Sequence, residues 1–298
     1  MSKPNQEVRD INGVVLLDKA SGSSSNYVLQ QVKRLFCANK AGHTGSLDPL
    51  ATGLLPICLG QATKVAQFLL DDDKRYLVRA KFGQVSSTGD SEGKIVNFGP
   101  TKGVDESSIK TILSQFIGDI HQIPPMYSAL KRQGTPLYKL ARKGIEIERP
   151  PRPVTIHKIN FLNFEYEVLS LDVFCSKGTY IRTLVEDIGK SLGCGGYVIE
   201  LRRTGFSHLD LSGSKTYEEL LKLKEQNLES LDSVILGADE MLPSFESAYL
   251  DSEQTGDIRL GKKIKYLGFS ASQKLKLYDH NEQFIGIGES NLMSEILP

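Results

Sequence analysis

Residues 41–53 read Ala41-Gly42-His43-Thr44-Gly45-Ser46-Leu47-Asp48-Pro49-Leu50-Ala51-Thr52-Gly53, and this stretch decides the fold. Glycine, threonine and proline punctuate it, so Lys40 to Pro56 reads as a loop. Its three glycines reach backbone angles that other residues avoid. Asp48 stands directly before Pro49, the pattern of a helix N-cap with proline at the first helical position. Such a cap would hold the carboxylate rigidly. Taken alone, capping is explanation enough for Asp48, and His43 passes as a satisfied turn residue.

Outward from the loop, INGVVLLDK near the amino terminus reads as a short apolar strand, and SGSSS as a turn. Tyr27 to Phe36 has helical spacing in Val28, Val32 and Leu35. Ala62 to Leu70 is helical as well. Arg75 to Phe82 alternates Tyr76, Val78, Ala80 and Phe82, the mark of a half-buried strand. Turns follow to Gly103, then helical spacing over Ile109 to Ile117. Pro124 to Pro153 holds six prolines and the run RPPRP, so it cannot be one regular element and reads as an inserted arm. Val168 to Cys175 is a strand and Tyr180 to Leu192 a helix. The acidic stretch after Thr216 is helical, and the last fifty residues read as small strands. Strands and helices mix without a βαβ rhythm, which favours an α+β fold.

A chain of 298 residues is long enough for about two domains of roughly 150 residues each. No apolar run approaches the roughly 18 to 20 residues of a membrane span, and the amino terminus lacks a secretory h-region. The four cysteines, Cys37, Cys58, Cys175 and Cys194, form no CxxC pair and read as reduced thiols in a cytoplasmic protein. Net charge is zero, with 36 basic and 36 acidic residues, and taken alone that speaks against nucleic acid. The distribution speaks differently. His121 to Lys158 carries eight Lys/Arg against two Glu, whereas Tyr217 to Glu253 carries two Lys against ten acidic residues. The basic segment is the candidate contact for phosphate.

Tyr76 follows the basic pair Lys74-Arg75 on its strand, where a core aromatic is the ordinary outcome. Arg182 falls in the first turn of its helix, where the dipole disfavours a cation. A carboxylate partner would account for it, and Asp48 is a candidate; a solvent-facing arginine is the alternative. There is no GxxxxGK[ST], no GxGxxG after a strand, no HExxH and no GxSxG. The five histidines are scattered, so no metal site is expected.

Four separated segments together resemble one family. GHTGSLDPLATGLLPICLGQATK from Gly42, KRYLVRAKFG from Lys74, QIPPMYSALKRQGTPLYKLARKG from Gln122 and CSKGTYIRTLVEDIGKSLG from Cys175 are similar, in that order, to the bacterial tRNA pseudouridine-55 synthases of the TruB family. The resemblance covers nearly the whole chain. It implies a mixed, largely antiparallel sheet flanked by helices, a catalytic domain over 1–245 with a basic RNA-binding arm at about 122–153, and a small β-rich PUA-like domain over 246–298. It also implies isomerisation of uridine 55 in the tRNA T-loop, a reaction needing neither cofactor nor metal. Carried over by position, Asp48 is the catalytic carboxylate, Tyr76 stacks on the flipped uracil and Arg182 pairs with Asp48. His43 fills the place the base leaves, and Tyr180 and Leu201 wall the pocket. Lys64 and the arm residues Lys131 and Arg142 contact RNA. The tRNA T-arm is the expected partner of a monomeric, cytoplasmic enzyme with no protein partner, and a tRNA-folding chaperone role is compatible with it.

The chain departs from the family pattern at Ala20, where proline usually follows the lysine, and after Thr204, where the usual longer passage shortens to Gly205-Phe206. Two other readings use the same scaffold: an RNA-binding protein without the chemistry, and a guide-RNA-dependent relative. Retention of Asp48 with Tyr76 and Arg182 argues against the first, and the basic arm against the second.

Neutralising Lys131, Lys139, Arg142 and Lys143 together is expected to weaken RNA binding while leaving the rate of bound complex unchanged. Each cation–phosphate pair removed should lower the slope of log K against log salt by about 0.7 to 0.9. Filter binding across a salt series, beside single-turnover kinetics at saturating enzyme, measures both.

Overall fold

The runs GVVLLDK and TGLLPICL are apolar on successive residues, and such strands must be buried on both faces. LVRAKF alternates, and needs cover on one face only. The computed structural model, which describes residues 7–266, 268–270, 272–291 and 295–298, is built around that difference.

In chain order the elements begin with β1 (Gly13–Lys19), α1 (Ser25–Leu35), β2 (Ala41–His43), β3 (Thr52–Leu59), a 3-10 turn (Gly60–Lys64) and α2 (Ala66–Leu69). Next come β4 (Lys74–Phe82), the hairpin β5 (Gln84–Ser86) and β6 (Ile95–Asn97), α3 (Glu106–Ser114) and β7 (Gly118–Gln122). A miniature hairpin, β8 (Lys131–Arg132) and β9 (Thr135–Pro136), and the short α4 (Leu137–Ala141) precede β10 (Arg152–Glu165) and β11 (Val168–Cys175). Then follow α5 (Ile181–Ser191), β12 (Gly196–Phe206), β13 (Leu209–Asp210), α6 (Tyr217–Gln226), α7 (Leu228–Asp232) and β14 (Ile235–Leu236). The carboxy-terminal part holds β15 (Glu246–Tyr249), α8 (Ser252–Arg259), β16 (Ile264–Lys265), β17 (Lys274–Tyr278), β18 (Phe284–Ser290) and β19 (Glu295–Leu297).

The main sheet runs β14-β1-β3-β12-β4-β11-β10-β7, with β2 on β3 and β13 on β12. Every pairing in it is antiparallel except β3 with β12. One face carries the principal core, in which Val15, Leu17, Leu55 and Ile57 meet Val32 of α1, Ile109 of α3 and Leu184 and Ile188 of α5. The other side chains of β1 and β3, among them Val14, Leu16, Leu54 and Cys58, pack with Leu69, Met241, Phe245 and Phe284 beneath the second sheet. Strand β4 has no such second cover, so Arg75, Leu77 and Arg79 face outward. The second sheet, β15-β17-β18-β19-β16, closes on its own core of Leu250, Leu275, Leu277 and Ile296.

Three sequence expectations change. Asp48-Pro49 opens no helix: Ala51 N donates to Asp48 O at 3.0 Å, and after that turn the chain enters β3. A helix there would forfeit the pairing of β3 with β1 and β12. The supposed loop from Lys40 to Pro56 therefore contains β2 and the first five residues of β3. Pro56 disguised the strand. It falls between the reach of β12, which pairs at Thr52 and Gly53, and that of β2, which pairs from Ile57 onward, so its missing N–H costs no ladder bond on that side. Strands β10 and β12 also escaped the pattern. Strand β10 starts inside the proline run, and β12 shifts register between Val198 and Glu200 and again between Arg203 and Gly205, which breaks the alternation.

Gly53 sits at φ +99, and a Cβ there would meet Arg203 O at 2.2 Å. Gly53→Ala therefore strains the backbone and parts β3 from β12. Urea denaturation is expected to show a loss of about 3 kcal/mol.

Candidate active site

Asp48 lies in a turn without regular structure, so other groups must hold it. Ser25, the first residue of α1, receives Leu47 N on its Oγ (2.7 Å) and donates to Leu47 O (2.9 Å). Gly22 N donates to Pro49 O at 2.9 Å. Below the turn, the Lys19 ammonium donates to the carbonyls of Ala20 (2.8 Å), Pro49 (3.2 Å) and Ala51 (2.6 Å). Lys19 is only 1% exposed. Burial lowers its pKa to about 8, and the nearby Asp48 charge opposes the fall. Ala20, where the resembling family carries proline, contributes a carbonyl, which either residue supplies.

Across from the turn stands Arg182, at the second position of α5 and 4% exposed. Its Nε donates to Asp48 Oδ2 at 2.9 Å. Nη1 donates to Thr88 O at 2.8 Å and lies 3.6 Å from Asp90 Oδ2, and Nη2 donates to Tyr127 O at 2.7 Å. Every nitrogen of the guanidinium is thus engaged, which a cation near a helix amino terminus requires. Asp48 keeps 39% of its side-chain surface exposed while protein crowds the rest. That burial raises its pKa above the ordinary 3.8, Arg182 pulls it down, and Asp90 pushes it up. The result is an accessible carboxylate held in one orientation by a buried cation.

Tyr76 lies on the covered face of β4, 9% exposed. Burial raises its pKa, and Arg203 opposes the shift. Arg203, buried beside Tyr76 in register on β12, donates from Nε to Leu54 O (2.7 Å) and from Nη2 to Gly45 O (3.2 Å). Its charge, after burial, helps to lower the pKa of His43, whose Nδ1 accepts from Gly45 N at 3.4 Å. His43 is therefore a neutral ring at neutral pH.

Of the residues named from sequence, Arg182 pairs with Asp48, Tyr76 and Tyr180 lie within reach of the Asp48 charge, and His43 lies near Arg203. Tyr180 caps α5 and feels the charges of Asp48 and Arg182. Leu201 is buried on β12, opposite Val78. Lys64 is elsewhere: it lines a cleft of about 980 Å³ against the second sheet, with Phe68, Lys274 and Phe284. Lys131 and Arg142 are exposed on the segment between β7 and β10, where the Arg142 guanidinium lies 5.6 Å from the Tyr138 ring centre. The sequence reading missed Lys19, Asp90 and Arg203. A lysine closing a strand and an arginine within one give no outward sign of burial, and Asp90 sits in a turn-rich stretch. Among the described residues no group of three or more His, Cys, Asp or Glu is arranged to hold a metal ion.

The family models that match are the TruB family pseudouridylate synthase N-terminal domain over residues 33–181, the tRNA pseudouridylate synthase B C-terminal domain over 182–243, and the pseudouridine synthase II TruB C-terminal domain over 247–298. The chain is 49% identical over 302 aligned residues to a tRNA pseudouridine synthase B of Actinobacillus pleuropneumoniae, covering 100% of this chain and 98% of that protein. It is 48% identical to one from Haemophilus influenzae, covering 96% and 92%. Among solved structures, a chain of an H/ACA ribonucleoprotein bound to a substrate RNA containing 2′-deoxyuridine matches with a TM-score of 0.70 at 22% identity, over 95% of this chain and 79% of that one. At that identity the match speaks to the fold alone.

Carboxyl-labelled Asp48, followed by NMR, is expected to titrate above 3.8 in the folded protein. Arg182→Met removes the lowering influence and should move the midpoint higher still, so that Asp48 takes up its proton earlier as the pH falls.

Proposed function

Because the chain belongs to the TruB family of pseudouridine synthases, it isomerises uridine to pseudouridine in tRNA, and we propose that its target is uridine 55 of the T-loop. The observation that carries the reading is the 2.9 Å pair between Arg182 Nε and Asp48 Oδ2, with Tyr76 beside it. One accessible carboxylate, kept charged by a buried guanidinium, is the smallest catalyst this reaction can use.

The reaction breaks the bond from ribose C1′ to uracil N1 and makes one from C1′ to C5. N1 gains a proton and C5 loses one, so atoms and electrons balance without oxidant or water. A base stacked in a helix cannot turn, so it must first leave the stack. That exit costs a few kcal/mol, which stacking on Tyr76 and insertion of the neutral His43 ring offset. Asp48 then acts on the sugar or the base, and Tyr180 and Leu201 bound the space in which the uracil rotates. Arg182 holds the carboxylate towards the substrate throughout.

Recognition is by shape. The folded T-loop presents phosphates and splayed bases, which proteins read through backbone contacts and stacking. In this reading residues 1–245 are the catalytic domain, the basic segment 122–153 is an arm that closes on the T-arm through Lys131 and Arg142, and 246–298 is a PUA-like RNA-binding module. Lys64 faces RNA at the cleft against that module. Gripping a folded T-arm on two sides also suits a tRNA-folding chaperone.

Asp48→Asn preserves size and hydrogen-bonding shape while removing the charge. It is expected to bind tRNA within about twofold of wild type and to form no pseudouridine. Mass spectrometry of the T-loop fragment after incubation with pure protein checks this, and turnover by a clean Asp48→Asn preparation would sink the assignment.

A further inference from the structure

Gln122 is the last residue of β7, at the root of the arm, and it is 1% exposed. Its amide grips a single residue from both sides. Tyr180 N donates to Oε1 at 3.0 Å, and Nε2 donates to Tyr180 O at 3.3 Å. Tyr180 is the N-cap of α5 and makes no side-chain cap bond of its own. The Gln122 amide therefore fixes the start of the helix that carries Arg182 two residues later.

The same stretch of chain reaches Arg182 itself five residues on, where Tyr127 O accepts from Nη2 at 2.7 Å. Between these two points lie only Ile123, Pro124, Pro125 and Met126. Two adjacent prolines have φ locked by their rings, so this connection resists bending. The arm's root is thus a stiff strap fastened at one end to the α5 cap and at the other to the guanidinium that holds Asp48. A movement of the arm that shifts its root disturbs at least one of these fastenings.

We propose that Gln122 is a positioning residue that couples the seating of the arm on RNA to the chemistry at Asp48, by holding the α5 amino terminus, and with it Arg182, in register. The inference rests on the functional reading above. Gln122 touches neither the substrate nor the reacting atoms; it acts through Tyr180 and Arg182. An amide is the one side chain of this length that both donates and accepts, as the Tyr180 carbonyl and N–H together demand. Misplacement of a catalytic group by about 1 Å costs on the order of a hundredfold in rate.

The test uses the full-length protein and a folded tRNA transcript, and measures the dissociation constant, the single-turnover rate at saturating enzyme and its pH profile, with each preparation normalised to its folded fraction. Wild-type protein tests the functional reading separately: if it forms no pseudouridine, that reading fails whatever Gln122 does. Gln122→Ala should bind within about twofold of wild type while its rate falls by about 10- to 100-fold. Its acid limb should move to higher pH, because a loosened Arg182 no longer keeps Asp48 ionised as well. Gln122→Glu keeps the acceptor for Tyr180 N and loses the donor, so it should recover part of the rate and of the shift; where the alanine variant does not fold, this profile alone decides. A wild-type rate and acid limb in either folded variant overturns the proposal. So does a loss confined to binding, or a rate loss with the acid limb in place.

Discussion

The Arg182 guanidinium is a cation in the interior, and the site is organised by the need to satisfy it. A buried charge without partners costs several kcal/mol, and the first turn of a helix makes a cation still less welcome. Arg182 meets that demand with Asp48, Asp90 and the carbonyls of Thr88 and Tyr127. These come from stretches that are distant from it in sequence. Each is drawn to the guanidinium because leaving it would orphan a donor in low dielectric. The Asp48 carboxylate, the turn after β5 and the stretch that follows β7 are therefore tied to one point.

The same device recurs around it. Lys19 collects three carbonyls under the Asp48 turn, Arg203 collects those of Leu54 and Gly45, and Lys74 binds the carbonyls of Leu70 and Asp72. Backbone in a buried loop has no ladder to satisfy its polar groups, and long cationic side chains reach them where a strand cannot. The turn at Asp48 is held in this way without regular structure. Burial brings both Lys19 and Lys74 down to about 8, so the folded chain releases these protons more readily than the unfolded one and is favoured as the pH rises above that value. Asp48, raised by burial, meets its limit at the acid end.

Cover on the second face of the sheet is unequal, and that asymmetry separates two kinds of surface. Over β1 and β3 the carboxy-terminal part shields Val14, Leu54 and Cys58. Over β4, β11 and β12 that face instead carries charged pairs beside the exposed Leu77 and Phe174: Arg75 with Asp172, at 2.7 and 2.6 Å, and Arg79 with Glu200. The apolar alternative would need a further layer there.

The amino-acid sequence by itself determined the family, the α+β class, and Asp48, Tyr76 and Arg182 as the residues to watch, because motif identity and side-chain periodicity are local properties. It also marked Pro124 to Pro153 as no single regular element, since closely spaced prolines interrupt helix and ladder hydrogen bonding. It misread Asp48-Pro49 as a helix start and passed over β10 and β12, because local pattern cannot see that Pro56 falls in a gap between strand partners or that bulges shift the register of β12. Only the tertiary structure decided that Asp48 faces Arg182, that Lys19 and Arg203 are buried, and that Lys64 belongs to a different cleft. Those facts depend on which carbonyls and carboxylates a long side chain finds once the sheet has brought distant segments together, and a buried cation is defined by neighbours that adjacency in sequence does not supply.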